Sequence, residues 1–299
     1  MNLTSLEQLI DDALKKSKCK IAVASAADKP VLEAIFSAFK LGFIEPFLIG
    51  PRREISALTG RIGMKKDMYE IIDEEDPHII CSKAVHLIKN RKADILMKGM
   101  VHTAVLLKAV LDKETGIRNK DTLSHFALFQ TRFYHKLLGI TDAAMNISPN
   151  IHEKVRIVEN AVEIFHRLGC MLPKVAVLAP LEIVNHKIPS SSDAALLTSM
   201  NRRNQITGCV IDGPLALDIA ISAEARDHKG IRSDVAGDAD ILVTPDLNSG
   251  NILYKSLMFL SDGIAAAIIT GASAPVVLTS RSDSEKNKLY SIALAAALT

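Results

Sequence analysis

Apolar and polar positions along this chain follow two periods, and the switch between them recurs from end to end. Short apolar runs of the kind that form buried strands fall at residues 20–25, 46–50, 69–72, 93–97, 174–179, 241–243, 265–270 and 275–279. Between them lie stretches with apolar residues at helical spacing, starting near Pro30, Pro77, Thr103, Ile151, Ala194, Leu215, Asn251 and Ser284. Strand and helix in alternation predict parallel sheets covered by helices, an α/β fold. Two further runs, LSHFALFQ and LLGITDAAMNI, lie close enough in sequence to pair antiparallel. The segment 209–211 reads as a strand broken by Asp212-Gly213-Pro214, with a helix over 215–225, and the PSSSD run at 189–193 reads as a cap for a helix over 194–203.

The stretch ADILVTPDLNSGNILYK, from Ala239 to Lys255, changes period twice. After the apolar Ile241, Leu242 and Val243 comes a polar turn in which Gly250 is free to take a positive φ, and a helix follows from Asn251. A strand running through such a turn into a helix predicts an anion site built from free backbone donors and the positive helix end. An ordinary strand-to-helix turn has the same local pattern. The opening ADIL recurs at Ala93, where Lys98, Gly99, Met100, Val101 and His102 lead into a helix over 103–111. A third element of this kind is TSRSDSEKNKL, in which Ser282 and Glu285 have capping-box spacing and Ser280 and Arg281 precede a helix N-terminus. A guanidinium there grips phosphate bidentately, and a hydroxyl stabilises a developing oxyanion. Taken singly, Arg281 reads as a surface arginine and His102 as a loop histidine.

Composition narrows the function classes. With 299 residues, 48% of them hydrophobic, the chain is long enough for two α/β domains. Its 36 basic and 34 acidic side chains leave a formal charge of +2, which offers no basic face for nucleic acid or an anionic membrane. No apolar run reaches the length of a membrane span, and the amphipathic start is not a signal peptide. Four cysteines far apart, Cys19, Cys81, Cys170 and Cys209, imply reduced thiols in the cytoplasm. The chain contains no GxGxxG, P-loop, HExxH or GxSxG pattern, and no His/Cys cluster for a metal. The polar segment 113–122 is a candidate domain boundary.

Taken together, KGMVHT, PDLNSGNILYK and PVVLTSRSDSEKNKLYSIALA resemble the phosphate acyltransferase family, most closely its phosphate butyryltransferase branch. The resemblance implies two three-layer α/β/α domains with a cleft between them, similar to the isocitrate and isopropylmalate dehydrogenase fold. Domain I would comprise 1–122 and 271–299, and domain II would comprise 123–270. The implied reaction is acyl-CoA + phosphate = acyl phosphate + CoA, with four- or five-carbon acyl groups preferred. Coenzyme A and phosphate would be substrates, with no permanently bound cofactor and no metal. The resemblance makes Ser280 and Arg281 catalytic. It assigns Asn248, Gly250, Asn251, Lys255, Gly99, His102, Thr103 and Lys108 to phosphate or CoA binding but supplies no base, for which Asp283 and His102 are substitute candidates, with activation of the thiol by electrostatics alone as the alternative. Asn287 stands where the acetyltransferase branch has an aspartate, Phe259 near one of its arginines, and Lys108 at another. Alternatives are a phosphate acetyltransferase, a metal-dependent dehydrogenase on the same scaffold, and an acyl-CoA-binding homologue without catalysis. A homodimer, or a multiple of dimers, is the implied assembly.

Overall fold

The computed structural model describes residues 4–280 and 283–299. In chain order the elements are α1 (Glu7–Leu14), β1 (Cys19–Ala24), α2 (Lys29–Leu41), β2 (Ile44–Gly50), α3 (Arg52–Arg61), β3 (Glu70–Asp73), α4 (Pro77–Lys89), β4 (Ile95–Lys98) and α5 (Thr103–Val110). Then come β5 (Ser124–Gln130), β6 (Leu138–Thr141), α6 (Ile151–Arg167), β7 (Lys174–Leu178), α7 (Pro189–Arg202), β8 (Val210–Leu215), α8 (Leu217–Ile221), α9 (Ala223–Lys229), β9 (Ile241–Val243) and α10 (Leu247–Leu260). The last are β10 (Ile264–Thr270), β11 (Val276–Val277) and α11 (Glu285–Leu298).

By internal contacts the chain forms two compact units, one of Leu6–Leu123 with Ala266–Thr299, the other containing Ser124–Ala265. In the first, the strands lie in the order β3-β2-β1-β4-β11-β10, parallel except where β10 meets β11. In the second the order is β5-β6-β9-β7-β8, with β5 and β6 antiparallel and the rest parallel. The α/β class expected from the alternating periods is the one observed. Parallel strands covered on both faces become continuous apolar runs, and Ile21 to Ala24, Ile95 to Met97 and Ile241 to Val243 are buried accordingly.

Local signals fix the helix starts. Asp76 accepts the N–H groups of His78 and Ile79 (2.7 and 3.1 Å) ahead of Pro77, and Asn150 and Glu153 close a reciprocal capping box on α6. Helix α11 is buried at nearly every position from Asn287 to Leu298 and packs on α1, α2 and β11. A helix apolar on all sides requires such enclosure.

Several expectations are corrected. PSSSD does not cap α7; Pro189 begins it, and Ser191 Oγ accepts from the Asn185 N–H instead (2.9 Å). β8 is not broken at Asp212-Gly213-Pro214 but runs through to Leu215, with a register shift against β7. Among the described residues β8 lies outermost in its sheet, where a proline removes no ladder donor that a neighbour needs. The helix expected over 215–225 is two short ones, because Ser222 takes an extended φ and caps α9. Ser284 caps α11, accepting the Asn287 N–H (3.2 Å), while Ser282, expected at capping-box spacing from Glu285, lies outside the described residues. Helix α3 was not expected, since in RREISALTGR only Ile55 and Thr59 are buried.

Candidate active site

In the first unit, register aligns Ala24 with Lys98 and Val277 with Met97, so the loops leaving β1, β4 and β11 emerge at one carboxyl edge. Ligands of parallel α/β sheets collect at such edges. The loop after β4 is clasped to β1. Gly99 N–H donates to the Ala24 carbonyl and Met100 N–H to the Ser25 carbonyl, both at 2.8 Å. A side chain at Gly99 has no room, because its Cβ would fall on the carbonyl oxygens of Ser25 and Ala24. Ser25 holds a left-handed φ of 61°, a strained conformation of the sort that gathers at functional loops.

His102 is exposed and begins α5 with no capping side chain, and Thr103 opens the first turn. The positive end of α5 therefore faces out of this loop unclaimed by a cap. Lys108, also exposed, is about 7.5 Å farther along the helix at 1.5 Å per residue.

The loop after β11 carries Ser280, which is exposed, and Asp283, which is buried. Ser280 N–H donates to Asp283 Oδ2 (2.6 Å), and Asp283 N–H returns to the Ser280 carbonyl (3.2 Å). Burial pushes the Asp283 carboxyl above the usual range, against the pull of the Ser280 N–H and of Lys288. Lys288 reaches up from α11, only 2% exposed, and its Nζ donates to the carbonyls of Ser280 (3.3 Å) and Asp283. Burial pushes its pKa down, while Asp283 and then Asp28 pull it back up. Arg281 lies outside the described residues. Asn287 is buried on the same helix.

In the second unit the helix of the ADILV stretch begins four residues earlier than expected, so Asn248, Ser249 and Gly250 are helical. The donors at its N-terminus are not free. Asp246 Oδ1 accepts the Ser249 N–H (2.9 Å), and the Leu247 N–H goes to the Ile147 carbonyl (3.1 Å). The Ser249 N–H above all holds the Asp246 carboxyl below its usual range, with the Ser249 hydroxyl and the Asn248 N–H adding to it, so a charge of the wrong sign for phosphate occupies the helix end. Nor does Gly250 serve a positive φ. It lets α10 pack on the strand-end backbone, where a Cβ would strike the Asp142 carbonyl and Thr244 Oγ1. Asn251 Nδ2 donates to the Ala143 carbonyl (3.2 Å).

Asn248 and Asn251 line a depression of about 400 Å³ with Ala144, Leu247 and Ile252. Lys255 is exposed two turns on, on the same face as Ile252 and Phe259. Asp246 bonds its own backbone as a residue of its type in a turn does, whereas the burial of Lys98 and Lys288 was missed by sequence reasoning. Among the described residues no group of three His, Cys, Asp or Glu is placed to hold a metal ion.

Residues 78–296 match the model of the phosphate acetyl/butaryl transferase family. The chain belongs to this family. It is 46% identical over 294 residues to the phosphate butyryltransferase of Clostridium acetobutylicum, covering 98% of each chain. It is 43% identical to the phosphate acetyltransferase of Thermotoga maritima, covering 97% of this chain and 98% of the relative. Among solved structures, a branched-chain phosphotransacylase from Enterococcus faecalis V583 superposes with a TM-score of 0.84 at 34% identity, over 94% of this chain and 98% of the other.

The four cysteines are buried free thiols. Burial pushes the thiol of Cys81 up to about 11 and that of Cys209 up to about 12, away from the reactive thiolate. Direct transfer needs no acyl-enzyme, so replacing each cysteine by alanine or serine is expected to leave kcat within about tenfold, packing losses aside. Initial-rate patterns check this. Ping-pong kinetics, together with loss of turnover in one folded cysteine variant, would put a thiol in the reaction path.

Proposed function

We propose that this chain transfers a short acyl group reversibly between coenzyme A and inorganic phosphate, with butyryl and branched four- or five-carbon groups preferred. The observation that carries the reading is the Ser280–Asp283 turn, in which an exposed serine is bonded to a buried carboxyl at the sheet edge that also presents the Gly99–Thr103 loop. A phosphate oxygen attacks the thioester carbonyl carbon, the C–S bond breaks, and the thiolate leaves with the proton it acquires. In this reading Arg281 holds the phosphoryl group and Ser280 donates to the thiolate or oxyanion. Asp283, whose burial raises its proton affinity, exchanges the thiol proton. Gly99, His102 and Thr103 bind phosphate at the open end of α5, with Lys108 adding charge. The side chains of Asn248, Asn251 and Lys255 contact CoA, and Gly250 keeps their helix seated.

Names of the relatives support the class. The Thermotoga relative, named an acetyltransferase at 43% identity, favours a second reading in which acetyl is the substrate. A homodimer fits the large apolar side chains that α10 leaves exposed, Ile252, Phe259 and Leu260, and the free cysteines suit the reducing cytoplasm.

The test is thiol release from acetyl-, propionyl-, butyryl- and isobutyryl-CoA, with and without phosphate. Release is expected to require phosphate. Four-carbon groups should exceed acetyl in kcat/KM by roughly tenfold, since each buried methylene contributes about 0.8 kcal/mol. Acetyl as the best substrate would select the second reading; release without phosphate would mark a thioesterase.

A further inference from the structure

In the second unit His125, near the start of β5, is buried without the bonds that burial ordinarily demands of an imidazole. It is 4% exposed, and its Nδ1 has no hydrogen-bond partner among the described residues. The ring lies edge-on to Tyr254 of α10, with centroids 5.7 Å apart, and Phe129, on the same face of β5, meets Tyr254 in the same way at 5.2 Å. The carboxylate that acts on His125 is Asp142, at the end of β6. Asp142 is already engaged. Its Oδ1 accepts the N–H groups of Ala144 (2.8 Å) and Met145 (2.9 Å), and its Oδ2 accepts the N–H (3.3 Å) and Nδ2 (2.6 Å) of Asn146. The turn so held carries Ala143, whose carbonyl accepts from Asn251 Nδ2, and Ala144, which lines the depression beside Asn248 and Asn251. His125 therefore touches α10 through Tyr254 and acts on the carboxylate that holds the turn against α10.

We propose that His125 is a positioning residue for the CoA-contacting face of α10, which it seats as a neutral imidazole and releases when it takes up a proton. A neutral ring has one donor and one acceptor nitrogen. In an imidazolium both are donors, and Nδ1 then needs an acceptor that its surroundings do not supply. Asp142 can meet that need only by giving up N–H groups between Ala144 and Asn146, which loosens the turn against Asn251. Leaving the cation buried and unpaired is costly as well. Among the described residues the titratable groups that face the ring are Tyr254 from α10 and Asp142 from the end of β6; α6, packed on β5, presents the uncharged Asn160 to the neighbouring Ser124. Burial accordingly pushes the imidazole below its ordinary value of 6.5, with Asp142 pulling the other way. Because the folded value lies below the unfolded one, the stability contributed by neutral His125 is fully present above the unfolded value and is lost as pH falls through the folded one. The inference rests on the proposed reading in which α10 contacts CoA.

The test compares wild type with His125→Phe, which keeps an aromatic edge for Tyr254 and cannot take up a proton. Calorimetry gives Kd for CoA at about pH 7.5 and about pH 5.5, on either side of the ordinary imidazole value. Thermal unfolding and KM for phosphate are measured alongside. Titration of the substrates' own phosphates is common to both proteins and cancels in the comparison. The acid-to-neutral ratio of Kd for CoA is expected to be on the order of threefold or more larger in wild type than in His125→Phe. The same ratio for phosphate KM should agree between them within about twofold. His125→Gln, polar and without a titrating ring, takes the place of the phenylalanine variant if that one does not fold. Equal CoA ratios in wild type and variant would overturn the inference, and so would a wild type whose CoA affinity does not fall in acid, a result that needs no variant. An acid loss of melting temperature in wild type alone, with equal CoA ratios, would make His125 a residue of stability only. Each of these results leaves the proposed function standing. Wild type that neither binds CoA nor shows phosphate-dependent thiol release would overturn both.

Discussion

Replacing Arg281 by alanine is expected to lower kcat/KM on the order of a hundredfold or more, with little change in thermal unfolding. The basis is its place in sequence. It stands between Ser280, exposed at the carboxyl edge of the sheet, and Asp283, buried and bonded to the Ser280 N–H. In the proposed function its guanidinium is to meet the phosphoryl oxygens with two parallel hydrogen bonds, and losing one such group removes stabilisation that water replaces poorly. Arg281→Lys should recover part of the loss, because an ammonium keeps the charge and lacks the fork. Ser280→Ala should reduce kcat and leave the phosphate KM near wild type, since its hydroxyl acts as charge develops. Kinetics and unfolding measured on the same three variants decide the matter. An Arg281→Ala protein that melts early and turns over normally would take Arg281 out of the chemistry.

Gly99→Ala is expected to cost about 1–3 kcal/mol of stability and turnover on the order of tenfold or more. Its Cβ would meet main-chain atoms of β1, with the Ser25 carbonyl carbon at 2.8 Å and the Ala24 oxygen at 2.9 Å, and backbone does not yield as a side-chain tip does. The loop must therefore lift, giving up the two 2.8 Å bonds that hold Gly99 and Met100 to β1 and carrying Thr103 with it. Gly42→Ala is the matched control. Gly42 caps α2 at a φ of 97° with nothing within 4 Å, so alanine there incurs a left-handed strain of about 1–2 kcal/mol and touches no loop of the site. Similar losses of melting temperature with turnover lost only in Gly99→Ala are the expected pair. Normal turnover per folded molecule in Gly99→Ala would show that this loop has no part in the reaction.

The strands were legible because parallel strands inside an α/β unit are apolar on both faces, as ADILM and ADILV are. Boundaries failed where tertiary context outweighed local pattern. Pro214 reads as a strand breaker until the strand proves to be an outer one. Gly250 reads as a turn glycine until the Asp142 backbone is found against it. Phosphate acyltransferase family membership was legible in three motifs, and the comparisons place the chain there. Hidden from the sequence was where charge goes. Nothing in MKG or EKNKL announces that Lys98 and Lys288 lie inside while Lys286, Lys108 and Lys255 lie outside, because burial is decided by what closes over each helix and strand.

The enclosure of α11 also bears on how the protein is made. Ser124–Ala265 is a continuous stretch that makes up nearly all of its own compact unit and is complete once Ala265 is added. The unit that carries Gly99 and Ser280 is interrupted by that stretch. Its sheet needs β11 beside β4, and its core needs α11 against α1 and α2. Nearly half of the chain thus separates Leu123's side of the core from its complement in time as well as in sequence, with residues added at about 5–20 per second. Lys288 arrives with that last helix. The Ser280 turn therefore acquires its buried cation in the same step that closes the core, and a nascent chain holds no assembled Ser280 turn until the last segment has docked.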